Sequence, residues 1–565
     1  MSHRLRLNVK LQQIGGSLTD FEDLQKQENR QGERTMGRIG GNMRTVLFPG
    51  LLFLGLLAAL RTAALGAEDP LSIGSRRELF VDEALIGSLD GGARQVLHHP
   101  EAKEVALTHD APWEGSGSGY HSVFYDPELD KYRMYYKAWH LEVADGTLNT
   151  GSHPLYCCYA ESEDGIHWRK PNLGLVEFQG SKENNIVLAP ATHGEVTSDP
   201  GHVAVFRDDN PACPAEARYK AIVRSGKPHG LLVFQSPDGF HWSLLHPQPV
   251  ITEGAFDSQN LAFHDTHRGA YRAYWRVFTA GQADGTAWRP AGHRAIRTAT
   301  SKDLIHWQPS RDLEYVDSPA EHLYTNVIKP YSRAPHLLIG FPTRYVERGW
   351  SDSMRALPEL EHREQRAKAN QRYGTALTEG LLMASRDGVT FKRWNEAFLR
   401  PGIERNGTWH YGHQYIAWHV VRTESRLKGA PDELSLYAVE SYWTGAGSRL
   451  RRYTLRLDGF VSIQAPMRGG ELITKPITFT GNALHLNFAT SAAGGIRVEI
   501  LDAEGTPIPG YTLDECRVVF GDTVDRVVSW ESGSDVSDLA GRPVRLRFLL
   551  QDADLYALRF GDSRR

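Results

Sequence analysis

The 565-residue sequence predicts an all-β protein, in which a five-bladed β-propeller is followed by a C-terminal β-sandwich. Two observations predict the propeller: a short turn motif occurs four times, and strand-like segments come in groups between its copies. A change after residue 462 to alternating apolar and polar residues with glycine turns predicts the sandwich. The predicted domains are an N-terminal extension with a signal peptide at 1–67, the propeller at 75–462 and the sandwich at 464–565.

The repeated motif is typical of a turn between two strands. Ser-Glu-Asp-Gly-Ile-His-Trp at 162–168 returns at 236–242 and 301–307 with its Ser, Asp, His and Trp unchanged, and at 385–391 it ends in Thr-Phe. Ser and Asp side chains accept hydrogen bonds from the backbone amides of such turns, and Gly adopts a positive φ at no steric cost. One turn copied at intervals longer than a hairpin indicates one supersecondary unit repeated around an axis.

Five groups of apolar, aromatic-rich segments give the five expected blades. The segments are 122–126, 132–139 and 155–160; 203–206, 219–223 and 231–234; 260–263, 271–275 and 295–299; 325–328, 336–341 and 380–384; and 415–418, 434–439 and 450–455. A strand near 78–81 is expected to close the ring. The charged stretch at 352–371 is expected to be helical, either as a lid or as a surface loop. The sandwich is expected to contain strands at 483–488, 496–501 and 544–550.

The N-terminal region carries a predicted secretory signal. Arg44 precedes an apolar run from Val46 to Leu60, and small residues at 63–67 form a cleavage site. The run is shorter than the roughly 20 residues that a membrane-spanning helix needs. We therefore expect a secreted or periplasmic protein, with no stable membrane insertion after the signal is cleaved.

Composition narrows the expected ligands. A net charge of −4 gives no basic surface for nucleic acid. The four cysteines form no Cys-x-x-Cys motif and the 24 histidines show no metal-ligand spacing, so no metal and no cofactor are expected. The 13 Trp and 22 Tyr residues pack propeller blades, but such rings also stack on sugars. These aromatic residues are compatible with a carbohydrate partner but do not by themselves indicate one.

The turn motif, above all its copy at 301–307, resembles the blade turns of five-bladed glycoside hydrolases of the fructosidase and arabinosidase/xylosidase superfamily. Segments 112–115, 256–260, 324–326 and 385–388 are similar to those of secreted propeller proteins from planctomycete-type bacteria. The resemblance spans roughly residues 75–562 and implies a secreted hydrolase acting on a polysaccharide or oligosaccharide. The chain lacks the Trp-x-Asn-Asp-Pro-Asn-Gly, Arg-Asp-Pro and Glu-Cys-Pro phrases of the fructosidase branch. A non-catalytic glycan-binding propeller is therefore the alternative.

Hydrolysis of a glycosidic bond needs two carboxyl groups: one protonates the leaving oxygen, and the other acts as nucleophile or activates water. In a propeller, the starts of the inner strands converge at one mouth of the central channel. We predict that Glu114, Asp257 and Glu379, which lie near such starts, are catalytic. Asp199 lies near another start, but capping the turn before Pro200 is an equal alternative for it.

Polar and aromatic residues near the same strand starts are expected to bind the sugar. They are Tyr120, His121, His202, Asn260, Tyr324, Asn326, Arg344, Trp409 and His413. The sequence thus predicts a glycosidase whose paired carboxylates lie in the propeller channel.

Overall fold

The computed structural model describes residues 69–144, 146–445 and 447–562. Almost all regular secondary structure in these ranges is β-strand, which confirms the all-β prediction. The predicted signal peptide and its cleavage site lie outside the described residues. In the described ranges, no helix is both long enough and apolar enough to cross a membrane.

The first strands of the chain are divided between two distant sheets. β1 (Leu71–Gly74), β2 (Arg77–Leu79), β3 (Ile86–Asp90) and β4 (Arg94–Leu97) join a sheet formed by the C-terminal residues. β5 (Glu101–Thr108) instead pairs with a strand that ends at residue 456. The expectation that residues 78–81 close the ring is therefore wrong.

Five sheets of four or five strands follow one another along the chain. The first contains β6 (Gly119–Asp126), β7 (Lys131–Ala138), β10 (Tyr156–Ser162) and β11 (Ile186–Leu188), with a separate hairpin of β8 (Glu142–Ala144) and β9 (Thr147–Asn149). The second contains β12 (Ala191–His193), β13 (Val196–Arg207), β14 (Tyr219–Ser225), β15 (Gly230–Ser236) and β16 (Ser243–Leu244). The third contains β17 (Leu261–Asp265), β18 (Ala270–Ala283), β19 (Trp288–Ser301) and β20 (Arg311–Asp312).

The last two of these sheets are less regular. The fourth contains β21 (Glu314–Val316), β23 (Lys329–Tyr331), β24 (Ala334–Gly340), β27 (Met383–Ser385) and β28 (Thr390–Arg393). A three-stranded sheet beside it contains β22 (His322–Leu323), β25 (Thr343–Glu347) and β26 (Ala376–Gly380). The fifth contains β29 (Val421–Thr423), β30 (Glu433–Glu440) and β31 (Arg449–Arg456), with β5 at its edge.

Two predicted inner strands are irregular chain instead. Residues 325–328 form no strand, and residues 415–418 form only the isolated bridges of Ile416 with Ala438 and of Ser122 with Trp418. The backbone explains the difference, because Val327 has a positive φ of 39°, and Gln414 and His419, which flank 415–418, have φ values of 64° and 82°. An extended strand does not accommodate residues in that conformation.

The charged segment between β25 and β26 is helical, as predicted. It forms α1 (Asp352–Ala356), α2 (Leu360–Ala369) and α3 (Gln371–Thr375). Two short 3₁₀ turns occur elsewhere, at Ala215–Ala217 and Ser537–Leu539. The buried Arg366 guanidinium of α2 lies 4.3 Å from the centre of the Trp443 ring. The helices therefore pack against the region that follows β30.

A ten-stranded sheet forms the C-terminal part of the fold. It combines β1 to β4 with β32 (Val461–Ala465), β33 (Gly470–Thr474), β34 (Ile477–Phe479), β35 (Ala483–Asp502), β36 (Asp522–Val527) and β37 (Val544–Gly561). The segments predicted as separate strands at 483–488 and 496–501 are parts of the single strand β35. Its apolar core includes the buried side chains of Leu486, Trp530 and Phe548.

The four turn motifs share one hydrogen-bond pattern. In every copy, the Asp carboxylate accepts bonds of 2.7–2.9 Å from the amides two and three residues later, and the Ser hydroxyl accepts one from the amide three residues later. In the third copy Leu304 takes the place of Gly, with φ of 67°. The predicted turn structure is therefore confirmed.

Three of these turns also join neighbouring sheets. Arg133 of the first sheet donates to the Asp238 carbonyl (2.7 Å) in the turn of the second. Tyr274 of the third sheet donates to the Gly388 carbonyl (2.9 Å) in the turn of the fourth. Tyr437 of the fifth sheet donates to the carbonyl of Gly165 in the turn of the first. The first and fifth sheets are therefore in contact.

We predict that Asp238→Ala lowers the free energy of unfolding by about 1–2 kcal/mol, because a half-exposed turn loses its bonds to an ionised carboxylate. Burial raises the pKa of Asp238, but the bonds donated by His241 and Phe240 outweigh it and lower the pKa to about 2. The stabilisation is therefore present above about pH 4 and is lost as the pH falls toward 2. Urea unfolding of both proteins at pH 7 and pH 3 measures the effect.

The exposed Glu195→Ala is the matched control and should leave the unfolding free energy unchanged. Equal stability of Asp238→Ala and the parent protein at pH 7 would contradict the assigned role of the turn.

Candidate active site

A pocket of about 360 Å³ is lined by side chains from the first three sheets, from the three-stranded sheet beside the fourth, from α3 and from the segment that follows β30. Its charged and polar lining consists of Asp257, Glu347, Lys137, Arg276, Arg294, Arg372, His202 and His322. Its aromatic lining consists of Tyr120, Tyr324, Tyr373, Tyr411, Tyr442, Trp139, Trp288, Trp443 and Phe278. Two larger cavities, of about 700 and 920 Å³, contain none of the predicted site residues.

A histidine held between two carboxylates forms one wall of the pocket. His202 Nδ1 lies 2.9 Å from Asp199 Oδ2, and its Nε2 lies 3.1 Å from Asp257 Oδ1. The pairing of β13 with β14 shifts register between Asp199 and Ala204, so His202 lies in a bulge. Asp199 also accepts a 2.9 Å bond from the Gly201 amide, which is the turn-capping role left open by the sequence.

These contacts fix the charges of the two groups. Burial lowers the pKa of His202, but Asp199 and Asp257 outweigh it and raise the pKa above its ordinary value. Burial raises the pKa of Asp257, but the His202 bond and the Arg276 charge outweigh it and hold that pKa well below its usual range. The Asp257 side chain is still 48% exposed to the pocket. Asp257 is therefore an ionised carboxylate that a ligand can reach.

The segment 256–260 orients Asp257. The Asn260 side chain donates to the carbonyls of Phe256 (3.1 Å) and Ser258 (2.8 Å) and accepts a bond from the Arg276 amide (3.1 Å). Arg276 in turn places its guanidinium 3.5 Å from Asp257 Oδ2. Asn260 is thus buried support for Asp257 rather than a sugar ligand.

Lys137 presents a buried amine to the pocket. Its ammonium lies 4.4 Å from the centres of the Tyr120 and Trp139 rings and 5.7 Å from that of Tyr442. Burial lowers the pKa of Lys137 to about 7, although Asp257 and Asp199 oppose the shift. The amine therefore exchanges a proton near neutral pH within a cage of rings.

Tyrosine hydroxyls line another wall. Tyr411 donates a 2.9 Å hydrogen bond to the Tyr324 hydroxyl, and the Tyr120 and Tyr415 rings stack with centres 6.1 Å apart. Burial raises the pKa values of Tyr120 and Tyr411 well above 10. The hydroxyls stay protonated, so this wall offers uncharged hydrogen-bonding groups beside flat rings, as sugar binding requires.

The pocket brings together four of the residues predicted from sequence: Asp257, Tyr120, His202 and Tyr324. Glu114 is elsewhere, with its carboxylate fully buried. It accepts bonds from Tyr136 (2.5 Å), the Ala111 amide (2.8 Å) and Lys170 (2.8 Å). An acid enclosed by its own partners cannot touch a substrate, so the catalytic role predicted for Glu114 is not supported by its position.

Glu379 lies at a different depression of about 610 Å³, together with Arg344 and Trp409. Arg344 donates to Glu379 at 2.6 Å, so the two predicted residues form an ion pair outside the pocket. The remaining predicted ligands, His121, Asn326 and His413, are buried and do not line the pocket. His121 lies on β6 as predicted, whereas Asn326 and His413 lie outside any strand.

Sequence reasoning missed most of the charged lining. Lys137, Arg276, Arg294, Glu347 and Arg372 were not among the predicted residues, although a lysine in the aromatic strand at 132–139 was a visible signal. The arginines gave no comparable signal, because each lies on a different strand or helix. In the described part of the chain, no group of three or more His, Cys, Asp or Glu residues is arranged to hold a metal ion.

No protein-family model matches the chain, and no curated protein is similar to it in sequence. Solved structures that partly resemble it include glycoside hydrolases. A glycosyl hydrolase from Bacteroides ovatus is 13% identical, with 63% of this chain and 94% of that chain covered and a TM-score of 0.36. The endo-arabinase from Bacteroides thetaiotaomicron is 10% identical, with 64% and 97% covered and a TM-score of 0.34.

A fructofuranosidase from Schwanniomyces occidentalis is 10% identical, with 87% of this chain and 99% of that chain covered and a TM-score of 0.31. These TM-scores are all below 0.5, so the likenesses assign no activity to this chain. The function has to be argued from the pocket itself.

We predict that His202→Gln destabilises the protein by about 1–3 kcal/mol at pH 6, because two carboxylates lose a charged partner. The raised pKa means that this stabilisation is fully present below the ordinary histidine pKa of 6.5 and is lost as the pH rises through the folded value. Urea unfolding of both proteins at pH 6 and pH 9 measures the difference, which should shrink at pH 9.

His246→Gln is the control, since the His246 ring is hydrogen-bonded to the backbone of the neighbouring Gln248. A loss of stability in His202→Gln that is equal at both pH values would mean that His202 is not charged between the two acids.

Proposed function

We propose that this protein is a glycoside hydrolase and that the 360 Å³ pocket is its active site. The observation that carries the proposal is Asp257, an ionised carboxylate held by His202 and Arg276 but open to a pocket walled by aromatic rings. A carboxylate presented beside sugar-stacking surfaces is what glycosidic hydrolysis requires.

In this proposal the five sheets are the blades of a five-bladed β-propeller, and the ten-stranded sheet belongs to the C-terminal β-sandwich. Contact between the first and fifth sheets supports a closed ring. The pocket then lies at one mouth of the channel, because three of the blades and segments beside the other two converge on it. We also propose that the signal-like segment at 44–67 directs secretion.

Two carboxyl groups are available for the reaction. Asp257, held as the anion, attacks the anomeric carbon or removes a proton from the attacking water. Glu347, the second carboxylate of the lining, accepts a 3.0 Å hydrogen bond from the Tyr345 hydroxyl and donates a proton to the leaving oxygen. The Asp257–Glu347 pair replaces the pair expected from sequence. A separation of roughly 5 Å in the working enzyme gives retention of configuration, and roughly 6.5–9.5 Å gives inversion.

A non-catalytic glycan-binding protein is the alternative. Its aromatic walls would be the same, but it would not need a carboxylate kept ionised by a buried histidine and arginine. Building such a group costs desolvation energy that binding through rings and hydroxyls avoids. The arrangement around Asp257 therefore favours the hydrolase.

We predict that Asp257→Asn lowers kcat/KM at least ~10²-fold, because the amide neither attacks nor takes up a proton. Reducing-sugar release from a broad panel of polysaccharides and oligosaccharides measures the activity. Glu114→Gln and Glu379→Gln are the matched controls, since each removes one carboxylate outside the pocket. Activity per folded molecule should stay close to that of the parent protein in both.

Loss of activity in folded Glu114→Gln or Glu379→Gln, with Asp257→Asn still active, would contradict the assignment. If no glycan is hydrolysed but glycan binding is retained, the glycan-binding alternative replaces the hydrolase proposal.

A further inference from the structure

We infer that the pocket binds a sugar that carries a negative charge, either a carboxylate or a sulfate ester. This inference names the substrate class of the proposed hydrolase and so rests on that function for the reaction, although binding can be tested alone. Two features support it: the excess of cationic side chains in the lining and the absence of carboxylate partners for three of them.

Cations outnumber acids around the pocket. Lys137, Arg276, Arg294 and Arg372 line it, whereas the lining carboxylates are only Asp257 and Glu347. The Arg276 guanidinium forms an ion pair with Asp257, and its Nε also donates a 3.0 Å bond to the Ala255 carbonyl. The terminal nitrogen that approaches Asp257 is itself buried, so Asp257 already balances the Arg276 charge. The positive charges of Lys137, Arg294 and Arg372 still need a negatively charged partner.

Arg294 is held by rings and by a histidine. Its guanidinium lies 4.5 Å from the centre of the Tyr345 ring and 5.2 Å from that of Tyr324, and one terminal nitrogen lies 3.3 Å from His322 Nδ1. The Arg294 amide also donates to this nitrogen, at 3.1 Å. His322 Nδ1 is therefore an acceptor, which places the ring proton of neutral His322 on Nε2, where it can donate to a ligand.

Arg372 and Lys137 are likewise placed against rings. The Arg372 guanidinium lies 4.9 Å from the centre of the Tyr373 ring and donates a 3.5 Å bond to the Tyr373 hydroxyl. Lys137 has its cage of Tyr120, Trp139 and Tyr442. In the described ranges, no carboxylate oxygen lies within 4.0 Å of the charged nitrogens of Lys137, Arg294 or Arg372.

Unbalanced cations in an aromatic pocket are costly unless an anion joins them. The forked guanidinium matches the two oxygens of a carboxylate or sulfate. Lys137, whose pKa of about 7 leaves it partly protonated at neutral pH, adds a point charge in its protonated form. The same rings that surround these cations offer faces for a sugar to stack on. An anion without a sugar would leave the tyrosine hydroxyls and ring faces unused, so the ligand that fits both features is an acidic sugar.

The test compares oligosaccharides in matched pairs on the full-length protein. Uronic-acid oligosaccharides are compared with their carboxyl-reduced forms, and sulfated oligosaccharides with their desulfated forms. Each pair keeps the sugar backbone and removes only the charge. Binding is measured by calorimetry on the parent protein and on Asp257→Asn, which consumes no substrate but frees Arg276 and His202. Sugar release is measured on the parent protein. We expect at least one acidic form to bind 10-fold or more tightly than its neutral form.

Variants then locate the anion. Arg294→Gln and Arg372→Gln, each introduced into Asp257→Asn, should reduce the preference for the acidic over the neutral form at least 10-fold. The exposed Arg542→Gln is the matched control and should keep the full preference. The comparison of acidic with neutral sugars on the parent protein does not depend on whether the arginine variants fold.

The outcomes separate the inference from the proposed function. Binding of an acidic form without any sugar release keeps the acidic-sugar site and ends the hydrolase proposal. Hydrolysis of neutral sugars at the same rate as their acidic partners keeps the hydrolase and overturns the acidic-sugar site. A preference for acidic sugars that survives in both arginine variants also overturns it, since the anion is then bound elsewhere. The uronate and sulfate pairs show which anionic group is preferred.

Discussion

The segment 256–260 is the constraint on which the rest of the site depends. The Gln259 side chain donates a 2.9 Å bond to the Tyr120 carbonyl, and the Ser258 hydroxyl donates a 2.8 Å bond to the Tyr324 carbonyl. These bonds connect the start of the third sheet to residues beside the first and fourth sheets. Because the side chains are buried, breaking one bond leaves a polar group without water. The segment therefore fixes where Asp257 points.

The charged groups around this segment keep the Asp257 carboxylate ionised and accessible to a ligand. His202 is held between Asp199 and Asp257, and Arg276 approaches the second acid, so the two carboxylates stay ionised inside the fold. Glu114 shows the opposite arrangement, since three donors surround it and no face is left open. Cationic and hydrogen-bond-donating groups of the protein stabilise the carboxylates of both Asp257 and Glu114. Only the Asp257 carboxylate has a side that a ligand can reach. That difference separates a structural acid from a candidate catalytic one.

The sequence predicted those parts of the fold that local contacts control. The Ser and Asp of each turn motif bond to amides within three residues, so the chemistry of the heptapeptide is enough to specify the turn. The pairing of β5 with β31 and of β2 with β37 joins residues more than 300 positions apart, and no local sequence pattern predicts such pairing. Residues 325–328 and 415–418 have strand-like composition, yet contacts with neighbouring sheets hold them in other conformations.

The sequence by itself determined the all-β class, the repeated turns and the presence of acids and aromatic residues near strand starts, because spacing and composition act over a few residues. The tertiary structure alone decided which acid faces the pocket. Asp257 and Glu114 look alike in sequence, since each follows an aromatic residue, but they differ in what the folded chain places around them. It also decided the charge of the pocket, because Lys137, Arg294 and Arg372 come from three elements that only folding brings together. The physical reason is that side-chain direction and burial are set by neighbours distant in sequence.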